Sequence, residues 1–342
     1  MADYNSDNGY TKRKNDFTSH ITKFTIWNHK NGAVQDVTPS VRDIQWDTDL
    51  KTAAQLTFKV QRGHFRFVPW NGDQVQFAWD GRLIFTGWIF KRKLTDDDTW
   101  DITAYANSRY LKGTGTYAWP ATSSSDRFQR IANDLGLKNQ VVDRNGYKVA
   151  AEITDGKTLF DMIDTTLDET VLHTGKRYMV FDDPDGTIKH VSLDRLSTNL
   201  LMGDNANVSS WDFEASIEDT SNIIQVVHED SKTKQRELRV ARSNSSVDEW
   251  GPLVHTETES GDVNSAQLQD KANALLREKN KEKKTLNLKV IGDSKIRAGS
   301  SLYLSVWELS GVGVPKNQHI LVTSASHKFD NPWTMDLGVE LI

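Results

Sequence analysis

Three aspartates stand at a spacing that would let carboxylates act together. Asp161, Asp164 and Asp168 lie three and four residues apart in a segment of helical period, so one helix face carries all three. Such a set can hold a cation or divide acid and base roles, but either use needs burial or a charged neighbour to move a pKa. The same segment places Phe160, Ile163, Leu167 and Val171 on an apolar stripe. The aspartates are therefore expected on the opposite, solvated side, with nothing to bury them. A second acidic run, Asp182-Asp183-Pro184-Asp185-Gly186, superficially matches a calcium loop. Setting Gly186 at the sixth position of that template puts Phe181 at the first, where an Asp is required. The run is read as a hairpin turn.

Other chemistry-bearing patterns fail in similar ways. The nine histidines are scattered and form no His-Glu-x-x-His zinc motif. Gly299-Ser300-Ser301 lacks the Gly-x-Ser-x-Gly frame of a nucleophile elbow. No glycine loop of the phosphate-cradling type is present. Lys279, Lys281, Lys283 and Lys284, with Glu282 among them, form a short basic run. It would suit DNA passing through a channel, but lysines also complement the dipole at a helix C-terminus, and the run is read as a solvated helix end. The absence of cysteine excludes disulfide staples, thiolate metal sites and a cysteine nucleophile. A glycosidase needs only two carboxylates, and no pair among the 47 acidic residues is marked out by sequence. No catalytic, cofactor-binding or metal-ligating residue is assigned, and no cofactor is expected.

The chain has 342 residues, enough for two or three domains. Hydrophobic residues make up 37% and charged residues 26%, a globular composition. Mean hydropathy is −0.59, and no apolar run approaches the roughly 18 residues of a spanning helix, so no membrane insertion is expected. The polar start, Met1 to Asp16, lacks an apolar h-region, so no export signal is expected. A net charge of −5 does not suit phosphate-backbone binding as the main task. Several of the 11 tryptophans are expected in cores or subunit interfaces.

Residues 1–20 are polar and expected to be a flexible arm. Leu56-Phe58-Val60, Val75-Phe77-Trp79 and Trp100-Ile102-Ala104 alternate strictly, the period of half-buried strands. Asp80-Gly81 between apolar runs reads as a tight hairpin. Residues 21–114 are thus expected to form a first antiparallel β-barrel domain. The period then lengthens. Phe128, Ile131, Ala132 and Leu135 follow the helix-start signal Ser123-Ser124-Ser125-Asp126, and Gly136 closes that helix; a second begins near Thr158 and stops before Gly175. With a hairpin across Asp183-Pro184-Asp185-Gly186, residues 115–205 read as an α/β insertion. Strands return from Trp211, through Ile223 to Val227 and Glu237 to Val240, and one helix spans about 265–279. Residues 206–342 are expected to be a second β-barrel domain containing that helix. The fold class expected is mainly β, with two related antiparallel barrels and a small α/β domain.

Two segments echo each other. Gly72-Asp73-Gln74-Val75-Gln76-Phe77 and Gly299-Ser300-Ser301-Leu302-Tyr303-Leu304 are both glycine turns leading into an alternating strand and then a return strand. If the domains are related, three copies of the chain would give a ring of pseudo-sixfold symmetry, built on heterologous side-to-side contacts.

The ordered series of short motifs carries a family resemblance from about Phe24 to the C-terminus. It includes Trp70-Asn71-Gly72-Asp73-Gln74-Val75, Phe85-Thr86-Gly87-Trp88-Ile89 and Ala104 to Lys112. It continues through Asp155 to Ile163, Thr174 to Tyr178, Asp219 to Ile224 and Trp250-Gly251-Pro252-Leu253. It ends with Lys271-Ala272, Leu275-Leu276, Ile291-Gly292-Asp293, Arg297-Ala298-Gly299-Ser300, and His327 to Asp330 before Trp333-Thr334-Met335. In these the chain resembles the tail hub proteins of PBSX-type prophages, the XkdQ/YqbQ family. It departs at Ala106, where that family is expected to have Asp, and at Asn331-Pro332-Trp333, where a His is expected before Thr-Met.

The resemblance implies a structural baseplate hub of a contractile tail, not an enzyme. It implies a homotrimer forming a pseudo-hexameric ring between the sixfold tail tube and the threefold spike. The implied partners are the tail tube protein, the central spike protein, the tape-measure protein C-terminus and baseplate wedge proteins, with DNA only in transit through a polar lumen. The implied location is the virion tail, after assembly in the bacterial host cytoplasm. Two other readings remain beside it: a distal adaptor of a non-contractile tail, and a tail-associated cell-wall hydrolase.

Overall fold

The computed structural model describes residues 20–62, 68–204, 207–229, 236–259 and 263–342. The expected N-terminal arm, apart from His20, and the expected boundary at 205/206 lie outside the described residues.

The first β unit contains β1 (Ile21–Trp27), β2 (Val34–Asp36), β3 (Val41–Asp49), β4 (Gln55–Gln61), β5 (Gln74–Trp79), β6 (Arg82–Leu94) and β7 (Thr99–Tyr105). Its alternating residues point into one core, where Phe24 packs on Phe58 and Phe77 with ring centroids 4.6 and 5.2 Å apart. The β5–β6 hairpin turns at Asp80 and Gly81, with φ of 48° and 76°. Both are left-handed, as the favoured two-residue turn demands.

The insertion holds β8 (Thr114–Trp119), α1 (Ser124–Asp134), β9 (Asn139–Val141), β10 (Glu152–Thr158), α2 (Leu159–Thr174), β11 (Tyr178–Asp182) and β12 (Ile188–Ser192). Both helices start where side chains satisfy their free amides: Ser123 accepts from Asp126 N–H and Thr158 from Asp161 N–H. Gly175 ends α2 at φ 70°, a position that favours glycine. The strands form a β8–β10 pair and a β11-β12-β9 sheet.

The second half contains β13 (Ser197–Gly203), β14 (Val208–Ser216), β15 (Ile223–Glu229), β16 (Arg236–Arg242), α3 (Asn244–Trp250), β17 (Val254–Glu259), α4 (Ser265–Lys279), β18 (Lys283–Ile291), β19 (Ser301–Ser305), β20 (Gln318–Lys328) and β21 (Thr334–Leu341). Strands β15 and β16, expected within the second barrel, instead pair with β17 in a separate three-stranded sheet. Leu268, Ala272 and Leu275 of α4 close this sheet's own small core over Ile224 and Val226.

The remaining strands form one 13-stranded sheet, whose main path runs β14-β18-β21-β20-β3-β4-β7-β6-β5-β1-β2, with β19 and β13 branching from β20. The two β units keep separate cores, but their strands run on into one sheet. The two β units join through β3 and β20, paired from Asp49↔Ser324 to Gln45↔Lys328. Among the described residues no ladder closes the path into a barrel.

The two units have the same plan. The first runs β3-β4-β7-β6-β5-β1 and the second β14-β18-β21-β20-β19-β13. One difference is that β1 meets β5 antiparallel, whereas β13 meets β19 parallel.

Candidate assembly surface

The sequence echo becomes a repeated backbone structure. In the first unit Asp73 N–H donates to Trp70 O at 3.0 Å, Gly72 N–H to Ile89 O at 2.8 Å, and Ile89 N–H to Asp73 O at 2.9 Å. In the second, Ser300 N–H donates to Arg297 O at 3.0 Å, Gly299 N–H to Val322 O at 2.8 Å, and Val322 N–H to Ser300 O at 2.8 Å. The side chains repeat as well. Asp73 Oδ2 accepts from Trp70 N–H at 2.8 Å and Ser300 Oγ from Arg297 N–H at 3.2 Å. Gly72 and Gly299 have φ of 91° and 90°, the left-handed position of a type II turn that glycine fills. Each return strand is next bulged, between Ile89 and Lys91 in β6 and between Val322 and Ser324 in β20. One chain thus contains two copies of one β unit.

The outward side of the joined sheet is polar. Gln45, Asp47, Gln55, Thr57, Thr103, Asn287, Ser324, Ser326 and Asp336 alternate with buried Trp46, Leu56, Phe58, Ile102, Leu286, Leu288, Ala325 and Leu337. The two units meet on this side in a groove walled by Asp47, Asp49, Asn287, Ser324 and Asp336.

Beneath the seam the units and the insertion are clamped together. Thr48 Oγ1 accepts from Ala298 N–H at 3.0 Å. Arg297 donates to Asp182 O at 2.7 Å and lies over the Phe181 ring at 4.3 Å. The buried Asp182 carboxylate accepts from Ser108 N–H at 2.8 Å; burial raises its pKa and the Ser108 contacts oppose that rise. His327 is wholly buried, its ring 4.8 Å from Trp46 and its Nε2 2.9 Å from Ile296 O. Burial lowers its pKa to about 4, against the opposing Ile296 bond. The unfolded chain therefore binds this proton more readily than the folded one. Stability from His327 is complete above about 6.5 and declines towards pH 4, by about 2–3 kcal/mol. Urea titrations of wild type and His327→Phe across that range should show a shallower acid slope in the variant; identical slopes would contradict the assignment.

The carboxylates of α2 require a correction. Asp161 and Asp168 are exposed, with Asp168 3.2 Å from Lys51, but Asp164 is half-buried. Burial raises its pKa to about 7, Lys51 opposes the rise, and Asp168, Asp161 and Asp49 add to it. The charged neighbours are invisible on the helix: Lys51 and Asp49, more than a hundred residues earlier in the chain, stand near that face. Here the folded state holds the proton more tightly, so stability falls as pH rises from about 4 to 7. Asp164→Asn should stabilise the protein at pH 8 by about 1–2 kcal/mol, discounted for partial exposure, and change little at pH 4. Equal effects at both pH values in thermal melts would refute this.

The other candidates sit as follows. Residues 182–186 make a hairpin turn: Gly186 N–H donates to Asp183 O at 2.9 Å, and Lys138 lies 2.8 Å from Asp185. Lys138 holds the Asp185 carboxyl below its ordinary value. The basic run divides, with Lys279 ending α4 and Lys283 and Lys284 opening β18. Among the described residues no group of His, Asp or Glu is placed to hold a metal ion.

Sequence reasoning missed a Ser–His contact. Ser124 Oγ lies 3.0 Å from His190 Nε2, and His190 Nδ1 lies 2.9 Å from the backbone O of Asp143. The two residues are 66 positions apart, beyond any local signal. Both are 0% exposed. The pair anchors the start of α1 and presents no hydroxyl to a substrate.

The fold is a duplicated β unit joined through one sheet and carrying an α/β insertion. Solved structures share it. A 43 kDa tail protein of prophage MuSo2 from Shewanella oneidensis aligns with TM-score 0.69 at 10% identity, covering 93% of this chain and 98% of that one. A tail protein from Neisseria meningitidis aligns with TM-score 0.69 at 14% identity, covering 93% and 96%. An Escherichia coli component of the type VI secretion system aligns with TM-score 0.55 at 11% identity, covering 89% and 74%. The chain belongs to the YQBQ-like family, whose model matches residues 44–340. From Bacillus subtilis, the phage-like element PBSX protein XkdQ is 29% identical over 240 residues, 69% of this chain and 73% of that protein. The protein YqbQ of the same organism is 28% identical over 265 residues, 76% and 78%.

Proposed function

We propose that this chain is a structural protein of a phage tail or tail-like particle, and within it the baseplate hub of a contractile tail. The observation that carries the reading is the duplication of the β unit within one chain. A ring of three such chains presents six similar units to a sixfold tube and three insertions to a threefold spike. The polar outward side of the sheet suits a lumen through which the tape-measure protein and DNA pass. Family membership and the tail proteins that share the fold support the class. The partners in this reading are further copies of the chain, the tail tube protein, the spike, the tape-measure C-terminus and the wedge proteins. The location is the virion tail, after assembly in the host cytoplasm. The role is one of assembly, not catalysis.

Electron micrographs of purified particles labelled through a tag on this chain test the reading. Label at one tail end only is the expected result. Label along the tail, or none on intact particles, would overturn it.

A further inference from the structure

The way the two units join inside the chain shows how one chain should join the next. Within the chain, β3 of the first unit lies along the far half of β20, from Ser324 to Lys328. That stretch begins just past Val322, where β19 and its glycine turn leave the strand.

The corresponding stretch of β6 is open. Pairing with β5 ends at Trp88, and Ile89 is bonded by the Gly72 turn. Among the described residues, nothing pairs with the Lys91–Leu94 side that faces away from β7. The strand that corresponds to β3 is also open: among the described residues β14 pairs with β18 alone and ends the sheet path. The molecule therefore carries the two halves of its own internal joint, unpaired, at separate places.

Their residues can be matched through the ladders. In the first unit Trp46 faces Leu56, Leu56 faces Ala104, and Ala104 faces Ile89. In the second, Phe213 faces Leu286, Leu286 faces Val339, and Val339 faces Val322. Phe213 thus stands where Trp46 does and Glu214 where Asp47 does. Past the shared bulge, Lys93 and Leu94 stand where Ser326 and His327 do.

The surfaces bear the marks of a missing cover. Ile44 and Trp46 are 1% and 3% exposed beneath β20, whereas Trp211 at the Ile44 position is 37% exposed. His327 is 0% exposed, whereas Leu94 at its position is 42% exposed. The charges are complementary. β14 offers Asp212 and Glu214, and β6 offers Lys91 and Lys93; among the described residues none of the four makes an ion pair, although Lys93 stands across the β6–β7 ladder from Asp101. Opposite charges directly across a strand pair stabilise it and like charges destabilise it.

We propose that β14 of one copy adds to β6 of the next in the register of the internal β3–β20 joint. Glu214 then faces Lys93 and Phe213 faces Leu94 of the neighbouring copy. The occupant of each open edge is a second copy of this chain, and each edge that would invite aggregation is covered by assembly. The inference rests on the ring reading above but concerns where the copies touch.

Because the chain has no cysteine, disulfide trapping tests it cleanly. Directly opposed antiparallel residues lie about 4.5–5.5 Å apart at Cα, within disulfide reach. The full-length double variant Glu214→Cys/Lys93→Cys, oxidised mildly at concentrations where light scattering shows oligomer and again in purified particles, should give covalently joined chains on non-reducing gels. Each single variant should give no ladder beyond dimer. Ala215→Cys/Lys93→Cys, whose side chains fall on opposite sides of the sheet, should give none. Asp47→Cys/Ser326→Cys should close within one chain and confirm the template. Lys93→Glu and Glu214→Lys should each lower the oligomer fraction, and combining them should restore it. Oligomer without the Glu214–Lys93 cross-link would overturn this interface and leave the ring reading standing. A species of 38.7 kDa under every condition, with no ladder in particles, would overturn both.

Discussion

Glu152→Ala should destabilise the insertion by about 3 kcal/mol, the lower end of the range for stranding a buried charge. Arg127 has a side chain that is 0% exposed, and its ion partner is Glu152 on β10. Its remaining support is slight. Nε donates to Thr122 Oγ1 at 3.1 Å, one amine reaches Ala150 O at 3.4 Å, and the guanidinium lies 5.1 Å from the Trp119 ring centre. None of these is an anion, so truncating Glu152 leaves the guanidinium enclosed and uncompensated. Glu152 is itself 33% exposed, so some water reaches the gap, which is why the lower end applies. Arg127→Met is expected to cost far less, because an apolar chain of similar length needs no partner. Urea unfolding followed by tryptophan fluorescence checks both. A loss below about 1 kcal/mol for Glu152→Ala would mean that the pair behaves like a surface bridge.

Gly299→Ala should cost about 2–5 kcal/mol and Gly72→Ala only about 1–2, although the two glycines share one backbone conformation. The shared part is the strain of a left-handed φ in a residue with a Cβ, about 1–2 kcal/mol. The surroundings differ. A Cβ on Gly72 would rest 3.6 Å from the His29 ring, in ordinary contact. A Cβ on Gly299 would fall on Met179 Sδ and within 2.9 Å of Leu196, inside the packing between the second unit and the insertion. Overpacking there adds a further 1–3 kcal/mol. Parallel thermal melts of the two variants separate strain from crowding. Equal losses would show that Met179 and Leu196 move aside freely.

The parts of this fold that were legible in the sequence are those fixed by local physics. Leu56-Phe58-Val60 announced a half-buried strand, Ser123 and Thr158 announced helix starts, and Gly175 announced a helix end, because period and cap chemistry act within a few residues. The glycine turns at 72 and 299 could be matched because both need the same φ. What sequence could not show was which strands share a sheet. Thr48 and Ala325 meet across 277 residues, and nothing local distinguishes β20, which receives β3, from any other alternating strand. The separate β15–β17 sheet was hidden for a related reason. α3 buries no residue and its start has no side-chain cap bond, and β17 reads Val-His-Thr-Glu-Thr-Glu, without an apolar alternation. Asp164 was misjudged because its burial and its neighbours Lys51 and Asp49 are set by the tertiary fold and not by the pattern of its own helix.

The central claim is that this chain works as a closed ring of three. Light scattering on the purified protein over a range of concentrations, alone and with the spike protein, addresses it most directly. The expected result is a discrete species at three times the 38.7 kDa chain mass, unchanged as concentration rises once it forms, because a closed ring leaves no free edge for growth. A mass of 38.7 kDa at every concentration, with the spike present as well as absent, would contradict the account.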